Sequence, residues 1–247
     1  MCFSLVIPLW NEESNVPQLI ESIFTSNLAT CGMHELILVN NGSSDSTGLL
    51  IEEAKNLYPW IVTLHLKHNE NYGGGVYEGI RLARTKLVCY IPGDLQVMPE
   101  DVLKVYNSYK NHRLYGNKLI IKGWRTIRHD SLQTRFVSTI YTKLSNLLLG
   151  LNVKDVNGLP KMFTSYLMDL IPEERMKSFV FDSQILAACR VNKWTLEEIP
   201  VTFHGRRSGV SSWSRKRIIT YYQTIMQIYK LRNLRHKKGK MLERYKH

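Results

Sequence analysis

Four short apolar runs, each followed by a stretch with helical spacing, occupy the first half of the chain and restrict what it can fold into. "FSLVIPL" precedes "SNVPQLIESIFTSNL", "HELILVN" precedes "DSTGLLIEEAKNLY", "IVTLHLK" precedes "GGVYEGIRLART", and "KLVCYIP" precedes "PEDVLKVYNSYKNH". Near-continuous Val, Ile and Leu runs suit strands buried on both faces, and an intervening helix supplies the crossover that parallel strands require. The expected class is therefore α/β, a mostly parallel central sheet flanked by helices. Ligands of such sheets collect at the carboxyl ends of the strands, so chemistry is expected in the loops that follow them.

Those loops read "WNEES", "NNGSSDST", "NENYGGG" and "PGDLQ". Acids recur in them, which is unusual for a phosphate cradle but suits a metal ion and the sugar and base of a nucleotide. No GxxxxGK[ST] and no GxGxxG follows the first strand, which argues against a P-loop or a dinucleotide fold. Gly73 to Gly75 read as room for a tight helix start and a close ligand. The histidines, His65, His68 and His204 among them, lack ligand spacing.

The second half is more mixed. "DSLQTRFVSTIYTKLSNLLLGLNV" has helical spacing, "DVNGLPKMF" reads as a turn into a strand, "DSQILAACRVNKW" as a helix and "TLEEIPVTFHG" as a closing strand. With 44% apolar and 22% charged residues in 247, a single domain is expected over residues 1–214. Cys2, Cys31, Cys89 and Cys189 show no paired spacing, so a reducing, cytoplasmic setting is expected without disulfides or a zinc cluster. No stretch reaches the roughly 18 apolar residues of a membrane span, and the first ten residues lack the marks of a signal peptide.

Six segments in order, "VIPLWNEESNV", "LVNNGSSDST", "NENYGGGVYEGI", "YIPGDLQ", "DVNGLPKMF" and "EIPVTFHGRRSGVSSW", resemble glycosyltransferase family 2, in its dolichyl- or polyprenyl-phosphate sugar synthase branch. The match runs from about residue 3 to residue 215. It implies a GT-A fold, a nucleotide-diphosphate-sugar donor, a divalent Mg²⁺ or Mn²⁺ and an inverting transfer, often to a polyprenyl phosphate. By position, Pro8, Trp10, Asn11 and Glu12 match the loop that holds base and ribose. Asn41 and Asp45 match the second donor segment, with Asn41 standing where the family usually has Asp. Gly73 and Gly93 match positions of close donor approach.

In the family the fourth loop is Asp-x-Asp-x-Gln, and here it is Pro92-Gly93-Asp94-Leu95-Gln96. The resemblance makes Asp94 the metal ligand with Gln96 beside it, although the first acid is absent. Hard cations of this kind accept one or two protein carboxylates and fill their octahedron with phosphate and water. On residue chemistry alone, Asp94 could equally cap the helix that starts near Pro99.

Arg125, Arg135 and Arg206 match basic positions that the resemblance assigns to the acceptor phosphate, with Thr139 or Ser138 adding a hydroxyl; guanidinium forks suit phosphate oxygens. Asp94, Gln96, Arg125 and Arg206 are thus the expected catalytic set. Asp155 and Lys161 match a further acid and base slot, and Gln184, two residues after Asp182, replaces the family's more frequent carboxylate. A hydroxyl acceptor would need a general base there, whereas a phosphate monoester is already ionised. Transfer to a glycan hydroxyl, or nucleotide-sugar binding without turnover, remain the alternatives.

Residues 215–247 hold 11 Lys or Arg against Glu243 alone, most of the chain's net charge of +12. Ile218, Tyr222, Ile225 and Tyr229 recur there at helical spacing, the pattern of a basic amphipathic helix at the inner face of a membrane. No nucleic-acid signature accompanies the charge.

Overall fold

A computed structural model describes residues 2–171, 177–205 and 225–233. β1 (Phe3–Leu9), β2 (Met33–Asn40), β3 (Ile61–His65) and β4 (Leu87–Tyr90) alternate with α1 (Val16–Thr25), α2 (Thr47–Leu57), α3 (Asn71–Leu82) and α4 (Pro99–Asn111). Then come β5 (Leu119–Arg128), α5 (Leu132–Leu149), β6 (Lys161–Thr164), a 3-10 turn at Ser165–Leu170, α6 (Val180–Val191) and β7 (Thr195–Phe203). Residues 225–233 are helical.

The seven strands form one sheet in the order β3-β2-β1-β4-β6-β5-β7. Only β6 runs against its neighbours, so the carboxyl ends of the other six strands share one edge. β1 lies between β2 and β4, which makes its end the point where the winding reverses and a crevice opens. β1 and β4 are buried almost throughout, as expected of strands covered by helices on both faces.

β5 is the strand that reading for apolar runs did not find. Lys122 interrupts "KLIIKGWR", yet it is fully buried, its ammonium bonded to Gly123 O at 2.8 Å, to Glu198 Oε1 at 3.0 Å and to the Asp155 carbonyl. A charge inside a strand obscures its period. Past Lys122 the strand leaves β6 behind and pairs with β7 alone, from Gly123 opposite Ile199 to Arg128 opposite Phe203. This two-stranded arm reaches past the sheet edge and carries Arg125 and Arg128 with it.

α5 has clear ends. Ser131 accepts a hydrogen bond from Thr134 N at its start, and Gly150, at φ 62°, closes it in the left-handed conformation that glycine adopts without strain. The described part of the expected tail packs on the domain: Ile228 and Leu231 join the core, and Ser178 Oγ lies 2.5 Å from Gln227 Oε1. Ile225 and Tyr229, two of the residues whose spacing announced the helix, point outward instead. Ile218 and Tyr222 lie outside the described residues.

Candidate active site

The loops after β1 and β2 are tied to each other. Asn11, in the left-handed region at φ 53°, accepts from Ser44 N at 2.9 Å while its own N–H donates to Ser43 Oγ at 3.0 Å. Glu12 N donates to Thr47 Oγ1 at 2.9 Å, and Glu13 N to Asp45 Oδ2 at 3.2 Å. Burial raises the Asp45 carboxyl, but hydrogen bonds from Thr47 and Glu13 outweigh it and leave the group below its ordinary value. Glu12 and Asp45 therefore set the shape of the crevice wall. Trp10, 43% exposed, is the apolar plane on its rim.

Asn41 accounts for its own departure from Asp. Its Oδ1 accepts from Glu70 N at 2.9 Å and its Nδ2 donates to Asn71 O at 2.9 Å, so both ends of the amide hold the start of α3. A carboxylate could make only the first of these bonds. Pro8 sits close by: a Cβ on Gly75 would meet Pro8 Cβ at 3.1 Å and Asn41 Nδ2 at 3.0 Å. Gly73 is buried in the same turn.

The loop after β4 presents alternate residues. Gly93, Leu95 and Val97 are buried, and Asp94 and Gln96 between them are half-exposed. Gly93 is required, since a Cβ there would lie 2.2 Å from Leu9 Cδ2. Leu95 adopts φ 59°, a conformation that costs a branched L residue about 1–2 kcal/mol. Strain of this kind gathers at ligand sites. Asp94 does not cap α4, whose N-cap is Met98 without a side-chain bond; its Oδ1 accepts from Gln96 N at 3.3 Å. Gln96 Nε2 donates to His204 O at 3.2 Å, so the amide oxygen is its remaining donor atom for a cation.

Arg125 is placed differently from its expected role. Its Nε and Nη2 close on Asp155 Oδ2 and Oδ1 at 2.6 and 2.7 Å, both side chains are buried, and Phe203 covers the guanidinium at 5.0 Å. Asp155 thereby takes two of the five guanidinium N–H groups, and the side chain is only 7% exposed. Burial raises the Asp155 carboxyl, but the Arg125 bonds and charge hold it well below the usual carboxylate range. Arg135 is more open, 42% exposed, with Nε donating to Asp130 O at 3.2 Å and Nη2 to Arg128 O. Ser138 accepts from Arg128 Nη1 at 2.7 Å, and Thr139 Oγ1 donates to Arg135 O at 2.9 Å. Arg206 lies outside the described residues.

The family model for "Glycosyl transferase family 2" matches residues 4–168. The chain belongs to glycosyl transferase family 2. Over 221 residues it is 27% identical to dodecaprenyl-phosphate galacturonate synthase of Rhizobium johnstonii, an alignment covering 87% of this chain and 62% of that protein. It is 27% identical over 223 residues to an undecaprenyl-phosphate 4-deoxy-4-formamido-L-arabinose transferase of Pseudomonas fluorescens, covering 88% and 62%. The chain thus spans less than two thirds of the length of these relatives. Among solved structures, glucosyl-3-phosphoglycerate synthase of Mycobacterium tuberculosis with Mn²⁺ and uridine diphosphate superposes with a TM-score of 0.69 at 14% identity, covering 95% of this chain and 79% of that one. The fold is GT-A, as the family resemblance implied.

The family resemblance implies a divalent ion, and the Mycobacterium tuberculosis structure holds Mn²⁺. Among the described residues no three His, Cys, Asp or Glu side chains gather into a cation cage. One carboxylate and one amide oxygen on a single loop, Asp94 and Gln96, nevertheless match an ion whose shell is completed by diphosphate oxygens and water.

Reading for motifs missed two features. Arg128 follows Arg125 by three residues and, like it, covers Phe203, its Nε bonded to Asp130 Oδ1 at 3.0 Å. The other is a buried group at β4, the strand that leads into the Asp94 loop. Tyr90 OH donates to Asp182 Oδ1 at 2.5 Å, and Lys161 Nζ stands 2.9 Å from the same oxygen, at an angle that makes an ion pair without a hydrogen bond. Burial pushes the Lys161 ammonium down to about 8, Asp182 opposing and Lys122 adding to the effect. The Tyr72 hydroxyl is buried without a hydrogen-bond partner among the described residues, raised by burial and then by Asp182 and Asp94, and so stays a proton donor.

Proposed function

We propose that this chain carries the catalytic domain of a metal-dependent, inverting glycosyltransferase that moves a sugar from a nucleotide diphosphate to a polyprenyl phosphate at the cytoplasmic face of a membrane. The observation that carries the acceptor choice is the state of the acids on α6. Gln184 is buried where a base would stand, and Asp182 is held by Tyr90 and Lys161. A hydroxyl acceptor needs a base to take its proton; a phosphate monoester, ionised near neutral pH, does not. The names of the relatives, both polyprenyl-phosphate enzymes, support the same acceptor.

In this reading Trp10, Asn11, Glu12, Asn41 and Asp45 shape the pocket for base and ribose, while Gly73 and Gly93 let the backbone approach the donor. Asp94 and Gln96 would hold Mg²⁺ or Mn²⁺. When bound, such an ion neutralises charge developing on the departing diphosphate. The Tyr72 hydroxyl, held protonated by burial and by the Asp182 and Asp94 charges, would be a proton donor for a bound group. Arg135, Thr139 and Arg206 orient the acceptor phosphate, and Arg125 supports them from behind by fixing the arm that β5 forms with β7. The basic residues of 215–247 add attraction to an anionic membrane surface.

The test is a panel of nucleotide sugars assayed with Mn²⁺ and a short-chain polyprenyl phosphate, run beside calorimetry of nucleotide binding. Transfer with one donor is expected, and Asp94→Asn should abolish both turnover and the Mn²⁺-dependent part of nucleotide binding. Tight nucleotide binding without transfer from any donor would instead identify a binding protein, which the loss of an acid at Pro92 would then explain.

A further inference from the structure

The edge of the sheet opposite the candidate active site has a cleft of its own. It lies where β2 and β3 begin, holds about 400 Å³ and is lined by His34, Glu35, Pro59, Trp60, Val62 and Arg84. That volume is within the range of small-molecule sites.

Glu35, 3% exposed, is only half used by the fold. Its Oε1 accepts from Ser4 Oγ at 2.6 Å and from Arg84 N at 2.7 Å. The other oxygen, Oε2, is buried with no hydrogen-bond partner among the described residues. Arg84 Nε stands 3.9 Å from it, an ion pair beyond hydrogen-bond reach, and the Arg84 side chain is 73% exposed. Buried polar atoms are nearly always bonded, so an open carboxyl oxygen beneath an exposed guanidinium marks a place that receives an N–H group from outside.

We propose that this cleft binds a free α-amino acid with an apolar side chain, its ammonium on Glu35 Oε2, its carboxylate on Arg84 and its side chain against Trp60. The pairing of signs selects this class of ligand. A simple anion would meet Glu35 and a simple cation would meet Arg84, whereas a zwitterion pairs with both at once. The two protein charges are 3.9 Å apart, which suits an ammonium and a carboxylate carried on one carbon atom. When Arg84 turns from Oε2 to the ligand's carboxylate, every charge in the cleft keeps a partner.

Trp60, Val62 and Pro59 supply the apolar wall. The indole is set before any ligand arrives. Tyr58 packs on Trp60 with ring centres 5.5 Å apart, and Phe24 packs on Tyr58 at 4.9 Å. Leu36 N donates to Trp60 O at 3.0 Å, which fixes the backbone of Trp60 beside that of Glu35. A wall held in this way loses little freedom on binding.

The test is calorimetry of the full chain with leucine and phenylalanine. Leucinamide, which lacks the carboxylate, and N-acetyl-leucine, which lacks the ammonium, are titrated beside them. At least one of the two amino acids is expected to bind with a Kd of about 1 mM, and each leucine derivative about tenfold or more weakly than leucine. Glu35→Gln keeps an acceptor for Ser4 and Arg84 N while removing the charge, and should weaken binding about tenfold. Arg84→Met alters an exposed side chain, so the denaturation midpoint should stay in place while binding weakens to the same extent. Arg81→Met, exposed on α3 outside the cleft, should change neither.

No heat from either amino acid up to about 20 mM would overturn the proposal. Leucinamide binding as well as leucine would make the cleft a cation site, and N-acetyl-leucine doing so would make it an anion site on Arg84; either result overturns it. So would unchanged binding by a folded Arg84→Met variant.

Discussion

Arg125 and Asp155 close on each other through two parallel hydrogen bonds, Nε to Oδ2 at 2.6 Å and Nη2 to Oδ1 at 2.7 Å, in a setting where neither side chain is more than 8% exposed. The pair joins β5 to the turn before β6. Removing one partner leaves a buried charge without compensation, which costs about 3–5 kcal/mol. Arg125→Ala should therefore lower the urea midpoint sharply, and Arg125→Ala with Asp155→Ala should recover part of the loss. A direct acceptor contact by Arg125 would show the opposite pattern, an intact midpoint with a raised KM for acceptor.

Asn41 offers a second test, because its amide makes two different bonds. Asn41→Asp keeps the acceptor for Glu70 N but loses the donor to Asn71 O and sets a carboxylate beside that carbonyl. The expected cost is about 1–3 kcal/mol in unfolding free energy. Nucleotide affinity measured by calorimetry should fall with it, since α3 starts at this clamp. An unchanged midpoint would mean that the amide is not what holds the turn.

The first half of the fold was legible in the sequence because every strand from β1 to β4 is a predominantly apolar run with a helix after it. β5 was not, since Lys122 stands in its middle and its partners Glu198 and Asp155 are 76 and 33 residues away. The donor loops could be located by motif, but not their mutual bonding: Asn11, Glu12 and Asp45 look like ligand groups in sequence and hold one another's loops in space. Arg125 shows the same limit. A guanidinium at a basic motif position and one closed on a distant Asp are identical in sequence, and only the register of β5 against the turn at Asp155 separates them.

Lys161 predicts a pH dependence of stability. Burial lowers its ammonium from an ordinary value of 10.5 to about 8, with Asp182 opposing and Lys122 adding. Between those two values the unfolded chain holds a proton that the folded chain has released, so this group's contribution to stability increases as pH rises through the window. Cys89 and Tyr90, both raised by burial, act in the other direction. Comparison with Lys161→Met combined with Asp182→Asn isolates the lysine, because neither buried charge is then orphaned and burial acts on Cys89 and Tyr90 in both proteins. The unfolding free energy of the parent relative to this variant should grow from pH 8 to pH 10 in urea titrations. A difference that stays flat would show that Lys161 keeps its ordinary affinity for the proton.

Ile228 and Tyr229 are adjacent in the 225–233 helix and have opposite surroundings, the first fully buried in the core cluster and the second 45% exposed. Truncating a buried Ile to Ala costs about 2–5 kcal/mol through lost burial and the cavity left behind. Ile228→Ala should therefore lower the denaturation midpoint of the whole domain, as would Leu231→Ala on the same face. Tyr229→Ala should change it by less than about 0.5 kcal/mol, the range of surface substitutions away from special features. Equal effects at the two positions would mean that this helix is not docked by its Ile228 face. The predicted contrast makes 225–233 part of the folded domain, so that a membrane-binding segment within 215–247 would have to lie on either side of it.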